Sequence, residues 1–240
     1  MNIGNLSYTP AGHASCGAAG FMAKMVRTVR LPTQRMARSS FVRYGIKESA
    51  LAPVVIVLAA GHGRRFARSG GIGSKLDAVL HGRTVLAHVL DAVQASGLHH
   101  HVVNAQQGGP GMADSIAAGV QAVPNASAWL VLPADLPLLQ AKTIQQVAQA
   151  LLDGAPFGIK AVVPRHGGQR GHPVAFDASC YALLSQLSGE QGAASVIHHL
   201  RSCGQVQDLD IDDAGAVMDV DTVEDLERLA QWPASRLARP

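Results

Sequence analysis

The chain predicts an α/β domain with three α/β/α layers, a Rossmann-like, doubly wound and mainly parallel sheet. Three observations predict it. Val54-Val55-Ile56-Val57-Leu58-Ala59 is an unbroken apolar, mostly β-branched run, the mark of a strand buried on both faces. Ala128-Trp129-Leu130-Val131-Leu132 is a second such run, ended by Pro133. From residue 53 onward, helical patterns alternate with these runs, which argues for βα units rather than blocks of strands and helices. Ligands in such sheets bind beyond the carboxyl ends of the strands. The turn after Ala60 and the segment after Leu132 both fall on that edge.

The elements follow in order. The first strand is 53–59, and a glycine-rich loop runs on through Gly73. Thr84 caps a helix over 85–96, with Val85, Leu86, Val89, Leu90 and Val93 on one face and Gly97 as its stop. A short strand at 101–104 leads through a Gln- and Gly-rich loop to a helix near 112–122. Residues 140–152 read as a helix, 161–163 and 174–176 as short strands. Helices near 178–187 and 191–201 precede a strand near 205–209. Thr222 then caps a last helix from Val223, with Asp225 as the acid of a capping box.

Composition bounds the rest. At 240 residues the chain fits one large domain plus an extension. Hydrophobic residues make up 48% but aromatics only 4%, so aliphatic packing must fill the core. The net charge of +3 is unevenly spread. Residues 1–52 hold seven Lys/Arg against Glu48, so the remainder is mildly acidic and offers no broad basic footprint for nucleic acid. That basic segment reads as a disordered extension or a mis-started one, with Met22, Met25 and Met36 as later starts, although its composition also resembles a transit peptide. The domain is expected over 53–232, with 233–240 as a tail. No apolar stretch is long enough to span a membrane. Cys16, Cys180 and Cys203 form no pair or metal spacing, so reduced thiols and a cytoplasmic setting are expected.

The chemistry concentrates in three places. In Gly61-His62-Gly63-Arg64-Arg65-Phe66, small residues admit a ligand to the backbone, whose N–H groups bind anions. Arg65 and Lys75 add positive charge suited to phosphates, which points to a nucleoside triphosphate. No Walker loop is present, and Phe66 stands where a dinucleotide fingerprint needs its third glycine, which disfavours an NAD-binding reductase. An ordinary strand-to-helix turn remains the plain alternative. Asp135, between Pro133 and Pro137, is a rigid carboxylate past a buried strand, fit to hold Mg²⁺ with phosphate oxygens or simply to cap the next helix. In Met218-Asp219-Val220-Asp221, strand alternation would put both aspartates on one face. Asp208, Asp210, Asp212 and Asp213 read as solvated loop. His99-His100-His101 makes a poor metal shell, because adjacent strand residues face opposite ways; a solvated edge accounts for it better. His198-His199 reads as helix surface.

Together these segments resemble the nucleotidyltransferases that attach a nucleotide to molybdopterin. Leu58-Ala59-Ala60-Gly61-x-Gly63-x-Arg65-Phe66 is similar to their opening signature, and Lys75 to their triphosphate lysine. Gly111-Met112-Ala113-Asp114-Ser115 resembles a nucleotide-contacting segment, and Pro133-Ala134-Asp135-Leu136-Pro137 the metal-binding loop. Gly171-His172-Pro173 and Gly189-Glu190-Gln191-Gly192-Ala193 resemble segments on the acceptor side, and Asp219–Leu226 the closing signature. The ordered set spans about 53–230.

The Ala-Ala-Gly form and Gly-His-Pro are more like the cytidylyltransferase branch. The resemblance implies a nucleotide-diphospho-sugar transferase-like fold and a Mg²⁺-dependent transfer of CMP from CTP to molybdopterin, releasing pyrophosphate. It implies nucleotide binding by Leu58, Ala59, Ala60, Gly61, Gly63, Arg65, Lys75, Gly111 and Ser115. It further implies metal binding by Asp135 and Asp221, catalytic roles for Arg65, Lys75 and Asp135, and an acceptor site at Arg170 and His172. A molybdenum-dependent hydroxylase would receive the product. The alternatives are GTP as donor, a sugar phosphate as acceptor, or a non-catalytic nucleotide-binding accessory protein.

Several features depart from the family. The Arg65–Lys75 spacing is longer, and the insert 68–73 is expected to be mobile. Ala67 replaces a glycine, Glu190 an aspartate and Ala194 an arginine. The stretch between Gly97 and Gly111 is short, as if a strand–helix unit were trimmed.

Overall fold

The computed structural model describes residues 52–61 and 63–233. The expected extension and tail, and His62, lie outside them apart from Ala52 and Pro233.

Strand β1 (Val54–Ala59) lies between two parallel neighbours, β4 (His99–Asn104) and β5 (Ala128–Pro133). Helix α2 (Val85–Ala95) carries the chain from β1 towards β4, and α3 (Met112–Ala122) carries it from β4 to β5. Side-chain alternation sorts the core. Val55, Val57, Leu130 and Leu132 pack with α2, α4 (Ala141–Gly154) and Leu229 of α7 (Val223–Ala230). Val54, Ile56, Trp129 and Val131 pack with α3, with α5 (Tyr181–Ser185) and with α6 (Ala194–Ser202). Helices after successive strands therefore cover opposite faces, and the loops leaving β1, β4 and β5 part to open a crevice.

The far half of the sheet is mixed. β6 (Ala161–His166) takes β9 (Val206–Asp210) in parallel along one flank. Along the other flank run β7 (Gln169–Arg170) and β8 (Val174–Asp177), both antiparallel. β8 also pairs antiparallel with β5, joining the two halves. The register slips by two residues between β7 and β8. Gly171-His172-Pro173 fills that slip as a bulge, and bulges re-aim side chains next to binding sites.

The expected elements are present with shifted bounds. Thr84 accepts the Ala87 N–H, and Thr222 and Asp225 form the reciprocal cap of α7. No strand or helix lies between β4 and α3, and the three histidines lie on β4 with His99 and His100 exposed.

Four expectations are corrected. The loop read through Gly73 contains a short helix, α1 (Arg64–Arg68). A hairpin of β2 (Val79–Leu80) and β3 (Arg83–Thr84) follows, turning at His81-Gly82, both with positive φ. The helix near 178–187 is a 3-10 turn at Ala178–Cys180 followed by α5. The insert at 68–73 is anchored rather than loose at its start: Ser69 Oγ donates to the Phe66 carbonyl and accepts the Val223 N–H at 2.9 Å. Of the 208–213 acids only Asp212 is solvated loop, and Asp210 lies on β9. Asp208 lies on β9 and pairs with Arg201 and Arg165, while Asp213 is buried.

Candidate nucleotide and metal site

The carboxyl ends of β1 and β5 open into a cavity of about 580 Å³, within the range that holds a small ligand. Its floor is set by backbone pairing: the Ala134 N–H donates to the Leu58 carbonyl at 3.1 Å, extending the β1–β5 register to the edge where Asp135 begins. The Val220 N–H then donates to the Asp135 carbonyl at 2.9 Å. That bond pins the 219–221 segment, 84 to 86 positions later in the chain, against the β5 loop. Residues 219–221 form no strand, yet they keep its alternation. Val220 is fully buried in the core, so Asp219 and Asp221 turn the other way, into the cavity.

Asp135, Asp219 and Asp221 converge there, with one carboxylate oxygen of each within 4.8 Å of the others. Lys75 reaches the same point from the loop after α1. Its Nζ donates to Asp135 Oδ2 and Asp221 Oδ1, both at 2.7 Å. Arg65 donates to the second oxygen of Asp221. Lys75 is only 8% exposed. Burial alone would lower its pKa, but Asp135 and Asp221 outweigh burial and hold the ammonium above its ordinary value. Asp219 shifts upward, from burial first and then from the charges of Asp135 and Asp221. Asp135 and Asp221 were expected as a pair. Asp219 is the addition, and its alternation with Asp221 was the signal for it. An all-oxygen set of three carboxylates fits a hard divalent cation, which completes its shell with phosphate and water.

The glycine turn forms the opposite wall. Gly63 caps α1 with φ of 58°, a left-handed conformation that suits glycine, and it packs beside Lys75. Leu58, Ala60, Gly61, Gly63 and Arg65 line the cavity as expected. Ala59 does not: alternation turns it to the helix-covered face, where it packs against the core. On the α3 side, Gly111 and Ser115 line the cavity, and the buried Ser115 hydroxyl donates to the Gly111 carbonyl at 3.2 Å. Arg170 and His172 line the far end, carried by β7 and the bulge. Burial lowers the His172 pKa, although Asp135 and the Val131 carbonyl act to raise it. His172 Nδ1 is buried without a hydrogen-bond partner. Arg64 and Glu190 also line the cavity. Glu190 belongs to the segment expected on the acceptor side, and Arg64 was not among the expected site residues.

Residues 55–205 match the MobA-like NTP transferase domain. The chain belongs to this family. It is therefore a nucleotidyltransferase, of a family that binds nucleoside triphosphates. Among curated proteins it is similar to the bifunctional protein GlmU of Xylella fastidiosa (strain 9a5c), 34% identical over 122 residues. That match takes in 40% of this chain but only 25% of the relative's length. Two solved structures carry the same three-layer fold. One is a nucleotidyl transferase from Methanothermobacter thermautotrophicus, at 17% identity and a TM-score of 0.61, covering 74% of this chain and 95% of that one. The other is Rv0371c from Mycobacterium tuberculosis H37Rv in complex with manganese, at 22% identity and a TM-score of 0.56, covering 77% and 100%. Among the described residues, no helix is long and apolar enough to cross a membrane.

Proposed function

We propose that this chain is a Mg²⁺-dependent transferase of CMP from CTP to molybdopterin, with release of pyrophosphate. One observation carries the nucleotidyl-transfer chemistry: three carboxylates from two distant segments meet Lys75 and Arg65 at the mouth of the glycine turn. The choice of CTP and molybdopterin is supported by the ordered segments from Leu58 to Leu226, with Ala59-Ala60-Gly61 and Gly171-His172-Pro173 in the cytidylyltransferase-like form.

The protein has no bond to make. It positions two anions and offsets their charge, as phosphoryl-type transfer requires. Backbone N–H groups of the 60–63 turn, with Arg65 and Lys75, hold the triphosphate. Gly111 and Ser115 bound the nucleoside side. Asp135 and Asp221, with Asp219 beside them, hold the divalent cation, which offsets charge at the α-phosphate when bound. Arg170 and His172 orient the acceptor, whose terminal phosphate attacks the α-phosphate in line. The product would pass to a molybdenum-dependent hydroxylase.

Pyrophosphate release by pure protein with Mg²⁺, molybdopterin and each nucleoside triphosphate tests the substrates. CTP should give the highest rate, and a preference for GTP would reassign the donor. Asp135→Ala should reduce turnover at least 100-fold (about 3 kcal/mol in the barrier) while the circular dichroism spectrum is preserved. Turnover undiminished in that variant removes Asp135 from the metal site.

A further inference from the structure

We infer that the Lys75 ammonium is a tethered substitute for the divalent cation, so that this chain takes its metal together with a nucleoside triphosphate and resists the free ion. The inference rests on the nucleotidyl-transfer reading and adds a rule for how the same site fills.

The geometry gives Lys75 two incompatible tasks. Its Nζ now sits 2.7 Å from an oxygen of Asp135 and 2.7 Å from an oxygen of Asp221, bridging the two carboxylates expected to bind metal. Arg65 occupies the other oxygen of Asp221. A buried ammonium and a largely exposed guanidinium thus already face the carboxylates. A free divalent ion entering this cluster would meet an ammonium and a guanidinium at contact range in a partly buried site, where like charges repel far more than in water. It would also have to leave Lys75, 8% exposed, without a partner.

A nucleoside triphosphate removes both obstacles. The Lys75 backbone and Cγ lie against Gly63 of the turn proposed to take the phosphates. The flexible lysine stem can therefore carry its charge from the carboxylates to the triphosphate without a backbone shift. As Lys75 and Arg65 turn to phosphate, Asp135 and Asp221 are released, with Asp219 beside them, to the cation that the same phosphates deliver. Metal and nucleotide then bind with positive coupling, and by linkage each raises the other's affinity by the same factor.

Mn²⁺ titration followed by electron paramagnetic resonance tests this, with and without the non-transferable analogue α,β-methylene-CTP. In the unmodified protein the analogue should tighten Mn²⁺ binding by roughly tenfold or more. In Lys75→Met, Mn²⁺ without analogue should bind roughly tenfold tighter than in the unmodified protein, and the coupling should shrink towards one. Unchanged or weaker free-Mn²⁺ binding in Lys75→Met overturns the inference, provided the unmodified protein binds Mn²⁺ with the analogue. Absence of Mn²⁺ binding even with the analogue defeats the nucleotidyl-transfer site itself. Should the Met variant not fold, the unmodified protein still decides: a coupling factor near one overturns the inference.

Discussion

Asp213 shows how much a single buried carboxylate can organise. Its Oδ2 accepts the Gln140 N–H at 3.0 Å and the Thr143 hydroxyl at 2.6 Å, and its Oδ1 accepts the Gln140 side-chain amide and the Gly215 N–H. It thereby ties the start of α4 to the segment that leads into Asp219 and Asp221. Asp213→Ala leaves several buried donors without an acceptor and should cost about 3 kcal/mol in a urea titration. A loss within about 0.5 kcal/mol, the range of an ordinary surface substitution, would show that the network does not hold these segments. Asp213 reads as part of a solvated run because Gln140 and Thr143, the partners that bury it, lie some 70 positions away, and no local spacing records them. Asp135 and Asp221 were legible for the opposite reason: prolines and a helix cap announce their local settings. Ala59 was within reach as well, since period-two alternation with the cavity-lining Leu58 sends it to the other face.

At the scale of elements, a clasp joins α3 to the turn that follows α5. Asp114 Oδ2 accepts the N–H groups of Gly111 and Gly189, at 3.0 and 3.2 Å, while the Ala113 N–H donates to the Gly189 carbonyl at 2.9 Å. The approach is close enough that any side chain at Gly111 would run into that carbonyl. The clasp therefore sets where Glu190 stands on the cavity wall. Asp114→Ala removes a helix cap and the inter-segment bond together, and should lower stability by about 1–2 kcal/mol. Chemical denaturation measures it, and an unshifted midpoint would mean the clasp contributes nothing. Long elements with a clear period, such as α2, α3 and β5, were readable within a residue or two. The β2–β3 hairpin and α1 were not, because strands of two residues and a helix of five are too short to show a period.

The described residues form two apolar layers on the two faces of one seven-stranded sheet, and Cys180 reports on one of them. Its side chain is 1% exposed, in the layer formed with Trp129, Phe176 and Leu184. The direction of β8 beneath it was not legible, since a short apolar run looks the same parallel or antiparallel. Burial, and after it the Asp177 carboxylate, pushes the Cys180 thiol from 9.0 up to about 11. The raised value means that the folded state favours the neutral thiol. Its contribution to stability is complete below pH 9 and is lost as pH rises from 9 towards 11, where the unfolded thiol is ionised and the folded one is not. Cys203 is exposed. In a Cys16→Ser, Cys203→Ser background, a disulfide reagent at pH 8 should therefore modify Cys180 only as fast as the layer opens. Low concentrations of urea should accelerate the reaction in step with global unfolding, because Cys180 is packed in the layer against the sheet. Modification of Cys180 at the rate of a free thiol in buffer would mean that this second layer is not packed as described.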